Sequence, residues 1–384
     1  MSRKRLLILG STGSIGRQTL DLVTAHDERL EVVGLAAARN GELLGRQAMA
    51  FGVHDLCVVD EASAARLQAA LPGHRVLAGE TGLERLIEQA RPDLVVGAIS
   101  GGAGLLPLVA ALRAGIDVAL ANKEPLVMAG GLVTALARHS GARLLPVDSE
   151  LSAIFQCLQG QSHEAVERIL LTASGGPFAK LGRDELAQVT PQQALNHPTW
   201  QMGPKVTVDS ATLANKGFEV FEVKWLFDVP FSRIEVVVHH QSIVHSLVEF
   251  ADSSVLAQLG RPDMRVPIQY ALFYPERVRN DLPRLDLPQV SPLTFAEPNL
   301  TNFPCLRLAR QAAEAGGGYP AVLNGADEAA VGLFLQCALG FLDIPDVIER
   351  ALNAYDGGDV RGIEDALAAD AWARDHARRL ATPA

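Results

Sequence analysis

The strongest constraint on the fold is an alternation of short apolar segments with helix-like segments through the first 147 residues. The apolar segments are mostly continuous, as strands are when both faces of a sheet are covered. Helical periodicity lies between them, for example over 17–24 and 83–90. This α/β pattern predicts a Rossmann-like, doubly wound domain over 1–147. The predicted strands are 6–9, 30–35, 56–59, 94–98, 118–120 and 143–147.

The pattern changes after residue 147. Loops with glycine clusters over 174–203, a helix over 211–227, and strands over 234–238, 243–250 and 255–259 predict a central α+β catalytic domain over 148–274. Six prolines between 275 and 304 indicate an extended linker. The alanine- and leucine-rich remainder, 305–384, is predicted to form a small helical bundle.

Length and charge exclude several classes of protein. A chain of 384 residues exceeds one hydrophobic core, so two or three domains are expected. The net charge is −10 and there is no polybasic stretch, which disfavours binding to nucleic acid or to an acidic membrane. Residues 94–112 are uncharged but contain four glycines and a proline, so strand, turn and helix explain them better than a membrane span.

The cysteines and the N-terminus indicate a cytoplasmic protein. The four cysteines are scattered, without a paired CxxC spacing, so neither a zinc site nor a disulfide scaffold is expected. The chain enters its first apolar strand directly, without the apolar segment of a signal peptide.

A glycine-rich loop between the first strand and the first helix predicts a dinucleotide site. Gly10-Ser-Thr-Gly-Ser-Ile-Gly16 has the spacing GxxGxxG, which lets the backbone approach a diphosphate at a helix N-terminus. The alternative is a turn whose glycines serve only close packing of helix on strand. The second strand ends without a carboxylate and is followed by Arg39, which favours NADPH over NADH. A solvated surface arginine is the alternative for Arg39.

Carboxylates at two places are candidate metal ligands. Asp148 and Glu150 follow the last predicted strand of the first domain, where ligands of open α/β sheets bind, and hard divalent cations prefer such oxygens. The same residues also fit an ordinary helix start. On the next helix, with Ser210 as its expected N-cap, Asn215 and Lys216 share a face with Glu219. That face suits a phosphate beside a metal, or else an exposed ion pair.

Glu222 lies one turn beyond Glu219. We expect it to continue the polar stripe of this helix as a surface carboxylate, outside any metal site.

Taken together, these segments resemble the 1-deoxy-D-xylulose 5-phosphate reductoisomerase family. The resemblance covers nearly the whole chain in order. The matching segments are Leu-Gly-Ser-Thr-Gly-Ser-Ile-Gly at 9–16, Ala-Asn-Lys-Glu at 121–124, Pro-Val-Asp-Ser-Glu at 146–150, 173–178, His-Pro-Thr-Trp at 197–200, 208–212 with Asn-Lys-Gly at 215–217, 239–245, 256–260 and 340–345.

The resemblance implies an activity. The family converts 1-deoxy-D-xylulose 5-phosphate to 2-C-methyl-D-erythritol 4-phosphate in the non-mevalonate route to isoprenoids. It uses NADPH and Mg²⁺, Mn²⁺ or Co²⁺, rearranging the carbon skeleton before reducing the resulting aldehyde. A homodimer is also implied.

The resemblance further implies roles for individual residues. The implied metal ligands are Asp148, Glu150 and Glu219. The implied phosphate pocket is Ser174, Ser210, Asn215 and Lys216. The implied contacts to the sugar end are Ser149, Lys123 and His197, with Glu150, Lys123 and His197 as catalytic candidates and Trp200 on a flap over 197–202. The implied NADPH contacts are Gly10, Thr12, Gly13, Ser14, Ile15, Arg39, Asn40, Asn122, Glu124 and Gly203.

The sequence departs from the family pattern at three positions. Leu151 stands where the family usually has His, Ala38 where it has Gly, and Asp327 where Asn is common. Two other functions stay open from the residues alone. A metal-free NADP-dependent dehydrogenase would keep its activity in a chelator, and a redox-sensing dinucleotide-binding protein would not consume NADPH.

Overall fold

The computed structural model describes residues 3–381, whose contacts divide into two compact units. The first unit comprises the chain up to Asn122, Val133–Asp148 and Met264–Asn280. The second comprises Lys123–Leu132, Ser149–Asp263 and the chain from Asp281 onward. The sequence analysis divided the chain by function after residues 147, 274 and 304, and that division stays a prediction.

The described residues form strands and helices in alternation through the first half of the chain. Over the described residues as a whole, the strands are β1 (Lys4–Leu9), β2 (Leu30–Ala37), β3 (Asp55–Val58), β4 (Arg75–Ala78), β5 (Leu94–Gly97), β6 (Asp117–Leu120), β7 (Leu144–Pro146), β8 (Val166–Ala173), β9 (Ile234–Val238), β10 (Val244–Phe250) and β11 (Val255–Leu259), of which β9 to β11 lie in the second half. The helices of the same half are α1 (Ser14–Ala25), α2 (Gly41–Phe51), α3 (Glu61–Ala70), α4 (Glu80–Ala90), α5 (Leu105–Arg113), α6 (Glu124–Ser140) and α7 (Ser149–Cys157).

Helices dominate the second half. They are α8 (Arg183–Leu186), α9 (Pro191–Ala194), α10 (Pro204–Thr212), α11 (Ala214–Phe227), α12 (Arg265–Phe273), α13 (Leu287–Val290), α14 (Cys305–Ala315), α15 (Tyr319–Leu335), α16 (Asp343–Ala354) and α17 (Ile363–Ala381). The predicted helical region from residue 305 is thus confirmed as four helices, α14 to α17.

The first unit is built on a parallel sheet with the strand order β4-β3-β2-β1-β5-β6-β7. The order reverses between β1 and β5, and ligands of such sheets bind at the carboxyl ends of the strands beside that point. The predicted Rossmann-like fold is confirmed. All six predicted strands of this region are present, and residues 94–112 form β5, a short 3-10 turn and α5. Among the described residues, no helix is both long enough and apolar enough to cross a membrane.

Two strands were not predicted, each for a physical reason. β4 lies at the sheet edge, where only Leu77 of its four residues is buried, so its sequence has no continuous apolar run. β8 lies inside the second sheet but carries Glu167 and Arg168 in its first half. Arg168 pairs with Glu235 of β9 at 2.8 Å and with Glu249 of β10 at 2.9 Å. The neighbouring strands therefore neutralise a charge that breaks the apolar pattern.

The second unit contains a four-stranded sheet with the order β11-β10-β8-β9. β8 and β9 are parallel, whereas β10 is antiparallel to β8 and to β11. The predicted mixed sheet is therefore confirmed. The proline-rich segment is largely irregular, with α13 as its one helix among the described residues, and its role as a linker stays a prediction.

The expected single helix over 211–227 is wrong. The chain is already helical from Pro204, and α10 and α11 are separated at Leu213, whose φ of 64° is left-handed. Ser210 lies inside α10, so its expected role as an N-cap is also wrong. The sequence shows no glycine or proline at this break, which is why helical periodicity did not reveal it.

Candidate active site

The glycine-rich loop joins β1 to α1 in the first unit. Gly10 has a φ of 87°, and a Cβ added there would lie 2.3 Å from the carbonyl oxygen of Ala98. The loop closes through a hydrogen bond from the Gly13 N–H to the Gly10 carbonyl at 3.0 Å. A glycine is therefore required at position 10, both by the backbone conformation there and by the close approach of the chain after β5. Ser14 and Ile15 begin α1, so the start of this helix faces the position expected for a diphosphate.

The end of β2 carries the residues predicted to bind the adenosine end of NADPH. Arg39 and Asn40 follow this strand and are exposed. The Asn40 side chain accepts a hydrogen bond from the Leu43 N–H at 3.1 Å and caps α2. Asn122, after β6, is buried and donates to the Gly101 carbonyl at 3.1 Å. Asn40 and Asn122 thus support the loops around the predicted cofactor site through their own hydrogen bonds.

Three carboxylates converge where metal ligands are predicted. Asp148 directly precedes α7, Glu150 is in its first turn, and Glu219 is on α11. One carboxylate oxygen from each lies within 4.8 Å of the others. Glu150 and Asp148 are partly buried, and Glu219 is fully buried. Such a set of oxygen atoms suits a hard divalent cation.

Two ammonium groups lie against the same carboxylates. Lys216 Nζ is 2.6 Å from Glu219 Oε2 and 3.5 Å from Glu150 Oε1. Lys123 Nζ is 3.6 Å from Glu219 Oε1 and 3.9 Å from Glu222 Oε2. The family resemblance implies roles for Lys123 and Lys216 at opposite ends of the substrate. The structure brings both ammonium groups to the buried carboxylate of Glu219.

Glu222 is not a surface residue, so that expectation is wrong. Its side chain is 2% exposed and faces Lys123, because α11 is buried around most of its circumference. Glu222 and the three predicted ligands make four carboxylates around two lysines. Carboxylate oxygens in this number and at this spacing are the donors that a hard divalent cation prefers.

The predicted phosphate residues come from two adjoining segments. Ser174 follows β8, and Gly176, with a φ of 69°, packs so closely that an added Cβ would lie 2.7 Å from the Ser210 carbonyl oxygen. Asn215 and Lys216 lie in the first turn of α11, directly after the break at Leu213. A helix start bearing an amide and an ammonium group is a favourable phosphate site. Asn215 also donates to Glu219 Oε1 at 2.6 Å, which links this site to the carboxylates.

His197 is held in one tautomer by the segment that follows it. The backbone N–H groups of Thr199 and Trp200 donate to Nδ1 at 3.1 and 3.0 Å, so Nδ1 carries no hydrogen. Nε2 then donates to Ser174 Oγ at 3.0 Å. Burial lowers the pKa of His197 to about 4. The imidazole is therefore neutral near neutral pH and acts as a hydrogen-bond donor.

Ser174 receives a second hydrogen bond from the Gly176 N–H at 3.2 Å. Its hydroxyl oxygen thus accepts two hydrogen bonds, and its own O–H group remains able to donate to a phosphate oxygen.

Trp200 lies beside His245 of β10, with ring centroids 6.0 Å apart. The segment around His197 is in this way attached to the second sheet at both ends.

His239 and His240 each lie against a backbone carbonyl oxygen. The Nδ1 atom of His239 is 2.8 Å from the Thr294 carbonyl, and that of His240 is 2.8 Å from the Ser174 carbonyl.

Two residues predicted to contact NADPH lie near a lysine that sequence reasoning missed. Glu124 is buried, with Oε1 at 3.2 Å from Lys205 Nζ. Gly203 is at the N-cap position of α10 and accepts hydrogen bonds from Thr207. Lys205 itself stood in the sequence as one lysine between a proline and an apolar residue. Nothing in that spacing indicates the three carboxylates that surround it.

Family models match most of the chain. A 1-deoxy-D-xylulose 5-phosphate reductoisomerase model matches residues 6–130, and models of its two C-terminal domains match 144–227 and 259–376. The reductoisomerase of Chlorobaculum tepidum is 52% identical over 379 residues, covering 98% of this chain and 99% of that protein. That of Pelotomaculum thermopropionicum is 50% identical over 375 residues, covering 97% of each.

The chain belongs to the 1-deoxy-D-xylulose 5-phosphate reductoisomerase family. Solved structures of this family agree with the fold. The Zymomonas mobilis enzyme in complex with NADPH has a TM-score of 0.92 and 41% identity, with full coverage of both chains. A reductoisomerase in complex with NADPH, fosmidomycin and magnesium has a TM-score of 0.94 and 39% identity, covering 98% of each chain.

The structure predicts that His197 stays neutral through the range in which an ordinary histidine titrates. Because its folded pKa is about 4, its imidazole resonances should be constant from about pH 8 down to about pH 5. Two-dimensional NMR of histidine side chains, assigned with His197→Gln, should show hydrogen on Nε2 alone. A titration midpoint near 6.5 would contradict this arrangement.

The same shift makes a stability prediction. A histidine whose folded pKa is depressed binds protons more readily in the unfolded chain. Its contribution to stability is therefore complete above about pH 6.5 and is lost as pH falls toward 4.

Proposed function

We propose that this protein converts 1-deoxy-D-xylulose 5-phosphate to 2-C-methyl-D-erythritol 4-phosphate, using NADPH and a divalent cation, as a step of isoprenoid biosynthesis. The observation that carries the proposal is the buried cluster of Asp148, Glu150, Glu219 and Glu222 around Lys123 and Lys216. Converging carboxylates beside a helix start suit a cation together with a phosphorylated substrate. Membership of the reductoisomerase family supplies the reaction.

The donor atoms fit the expected metal. Asp148, Glu150 and Glu219 would hold the cation with three carboxylate oxygens, a usual protein share of a six-coordinate oxygen site. When bound, a divalent cation polarises substrate oxygen atoms as a Lewis acid, and NADPH is the source of hydride. Mg²⁺, Mn²⁺ and Co²⁺ all suit this set of ligands.

The phosphate pocket supplies binding energy at a distance from the reacting carbons. Ser174, Ser210, Asn215 and Lys216 would hold the phosphate, with Ser174 donating its O–H because its oxygen already accepts from His197 and Gly176. Binding energy from a remote phosphate orients the reacting end of a substrate. Ser149, whose hydroxyl donates to Glu150 Oε2 at 2.6 Å, would orient that carboxylate toward substrate.

Lys123 and His197 have different proposed roles at the reacting end. Lys123 is charged, buried and 3.6 Å from Glu219, so it would stabilise negative charge that develops on substrate oxygen. His197 is neutral and would donate a hydrogen bond from Nε2, exchanging Ser174 for substrate. Trp200 would close over the substrate and exclude water.

Trp200→Ala should therefore weaken substrate binding or lower kcat while the melting temperature changes little.

The cofactor assignment rests on the first unit. Gly10, Thr12, Gly13, Ser14 and Ile15 would surround the diphosphate at the start of α1. Arg39 and Asn40 would receive the 2′-phosphate, and Asn122 would support the site from the same unit. Glu124 and Gly203 belong to the second unit, and their assignment to NADPH rests on the family resemblance alone. We assign NADPH binding to 1–147, metal and substrate to 148–274, the linker to 275–304 and helical support to 305–384.

A homodimer in the cytoplasm is the proposed working form. Val255 and Leu256 lie on β11, the edge strand of the second sheet, and are 46% and 41% exposed. An apolar edge strand favours association of sheets between two copies. Sedimentation equilibrium that gives the mass of a monomer would reject the dimer, and cell fractionation tests the location.

The direct test of function is a substrate-dependent decrease in NADPH absorbance. The purified protein should oxidise NADPH with 1-deoxy-D-xylulose 5-phosphate when Mn²⁺ is added, and should lose this activity in a chelator. Activity that survives the chelator would favour a metal-free dehydrogenase. NADPH binding without oxidation would favour a sensor.

The carboxylate cluster predicts different effects for three glutamates. Glu219→Gln should raise the Mn²⁺ concentration for half-maximal activity by at least about tenfold, because it replaces a charged ligand oxygen with a neutral amide. Glu222→Gln should mainly lower kcat, since Glu222 faces Lys123. Glu167→Gln, at an exposed position on β8, is the matched control and should behave like the parent. Equal Mn²⁺ requirements for Glu219→Gln and the parent would refute the metal assignment.

Arg39 predicts the preference for NADPH. Arg39→Ala should weaken NADPH by roughly ten- to a hundred-fold and leave NADH nearly unchanged, because one charge-assisted contact to the 2′-phosphate is worth about 1.5–3 kcal/mol. The measurement is the Michaelis constant for each cofactor. Equal changes for the two cofactors would show that Arg39 is an ordinary surface residue.

A further inference from the structure

A second buried charge cluster lies around Lys205, at the start of α10. Its Nζ atom is 2.7 Å from Asp209 Oδ2, 3.0 Å from Asp327 Oδ2 and 3.2 Å from Glu124 Oε1. The three carboxylates are at most 3% exposed, and the lysine side chain is 16% exposed. The cluster connects α6, α10 and α15. The ammonium group also lies 4.3 Å from the ring centroid of Phe218 on α11.

Three carboxyl groups surround the ammonium group of Lys205. The nearby Glu328 pairs with Arg374 at 2.6 Å. Burial disfavours the charge of Lys205, but Asp209, Asp327 and Glu124 together raise its pKa well above the usual value. Burial raises the pKa of Asp209 and also that of Asp327. The charged form of Lys205 and the protonated forms of Asp209 and Asp327 are therefore favoured relative to the same groups in water.

Two partners of Lys205 are chain neighbours of proposed active-site residues. Glu124 directly follows Lys123, whose ammonium group lies 3.6 Å from Glu219. Asp209 directly precedes Ser210, against whose carbonyl oxygen Gly176 packs. Lys205 contacts Glu124 and Asp209, the chain neighbours of Lys123 and Ser210. Through these contacts it would act on substrate by way of the backbone of α6 and α10.

We infer that Lys205 is a positioning residue for the proposed reaction: through Glu124 and Asp209 it fixes the backbone that carries Lys123 and Ser210. Asp327 extends this connection to α15 of the helical region. The inference rests on the proposed function, since it concerns how the two ends of the substrate are held. A misplacement of about 1 Å at such residues lowers catalysis by up to roughly a hundredfold.

A purely structural ion cluster would also lower stability when broken, so kinetic constants must decide. Lys205→Met removes the charge but keeps the length of the side chain, and Lys205→Arg keeps the charge. Lys224→Met is the matched control, because Lys224 forms an exposed pair with Asp228 at 3.1 Å. All three variants are compared with the parent for kcat, melting temperature and the Michaelis constant for the sugar phosphate.

Lys205→Met should raise the Michaelis constant for the sugar phosphate by about tenfold or more and lower kcat, whereas Lys205→Arg should recover at least part of both losses. Lys224→Met should match the parent. A lowered melting temperature in Lys205→Met with both kinetic constants of the parent would overturn the inference and leave a structural role only. If Lys205→Met does not fold, the Lys205→Met/Asp327→Asn double variant, which removes the ammonium group together with one of the carboxyl groups that face it, takes its place with the same kinetic expectation.

A stability measurement tests the cluster independently of turnover. A carboxyl group whose folded pKa is raised loses stability as pH rises from its unfolded value, near 3.8, through the folded one. Asp327 faces Lys205, Asp209, Glu124 and Glu328, and lies near the Cys305 thiol. Asp327→Asn should therefore flatten the fall in melting temperature as pH rises above about 3.8. An unchanged slope would show that Asp327 is not held in a buried cluster of charges and would count against the inference.

The two kinds of failure are distinguishable. A parent protein that folds but does not oxidise NADPH with the substrate rejects the proposed function, and the positioning inference falls with it. Parent turnover with unaltered kinetics in Lys205→Met rejects only the positioning role.

Discussion

The burial of Glu219 is the interaction on which the active site depends. An ionised carboxylate without solvent is stable only when other groups replace its hydration. Here Lys216 and Asn215 each lie 2.6 Å from one of its oxygens, and Lys123 approaches to 3.6 Å. Lys216 and Asn215 come from the first turn of α11, and Lys123 directly precedes α6. The carboxylate therefore gathers the proposed phosphate pocket and the proposed metal site around a single side chain.

The break at Leu213 makes this arrangement possible. A leucine in the left-handed region costs on the order of 1–2 kcal/mol and persists only where surrounding contacts compensate. Leu213 is itself buried, so its side chain contributes packing at the strained position. The break ends α10 just after Ser210 and starts α11 just before Asn215 and Lys216. A continuous helix would have had no free N–H groups at that point to offer an anion.

Two buried charge clusters share neighbouring residues of the chain. Lys123 belongs to the carboxylates of the proposed metal site, and Glu124 belongs to the cluster around Lys205. Both clusters place carboxyl groups around ammonium groups, but with different consequences. The first offers carboxylate oxygens to a divalent cation, whereas in the second burial raises the pKa of Asp209 and of Asp327 and favours their protonated forms. Asp327, where the family resemblance leads us to expect Asn, supplies the third carboxyl group.

The sequence by itself determined the parallel sheet, the glycine-rich loop and most of the proposed site. Continuous apolar strands and a loop such as Gly10–Gly16 are local patterns, and so many ordered motifs identify a family without coordinates. The tertiary structure decided burial and long-range pairing. Glu222 looked exposed because a helical stripe reveals only one element, whereas α11 is covered on nearly all sides. β8 was missed because Glu167 and Arg168 interrupt its apolar run, and the acidic partners of Arg168 lie on two other strands. Lys205 was missed because its carboxylates are up to 122 residues away in the chain, at Asp327, and no local spacing records which charges folding brings together.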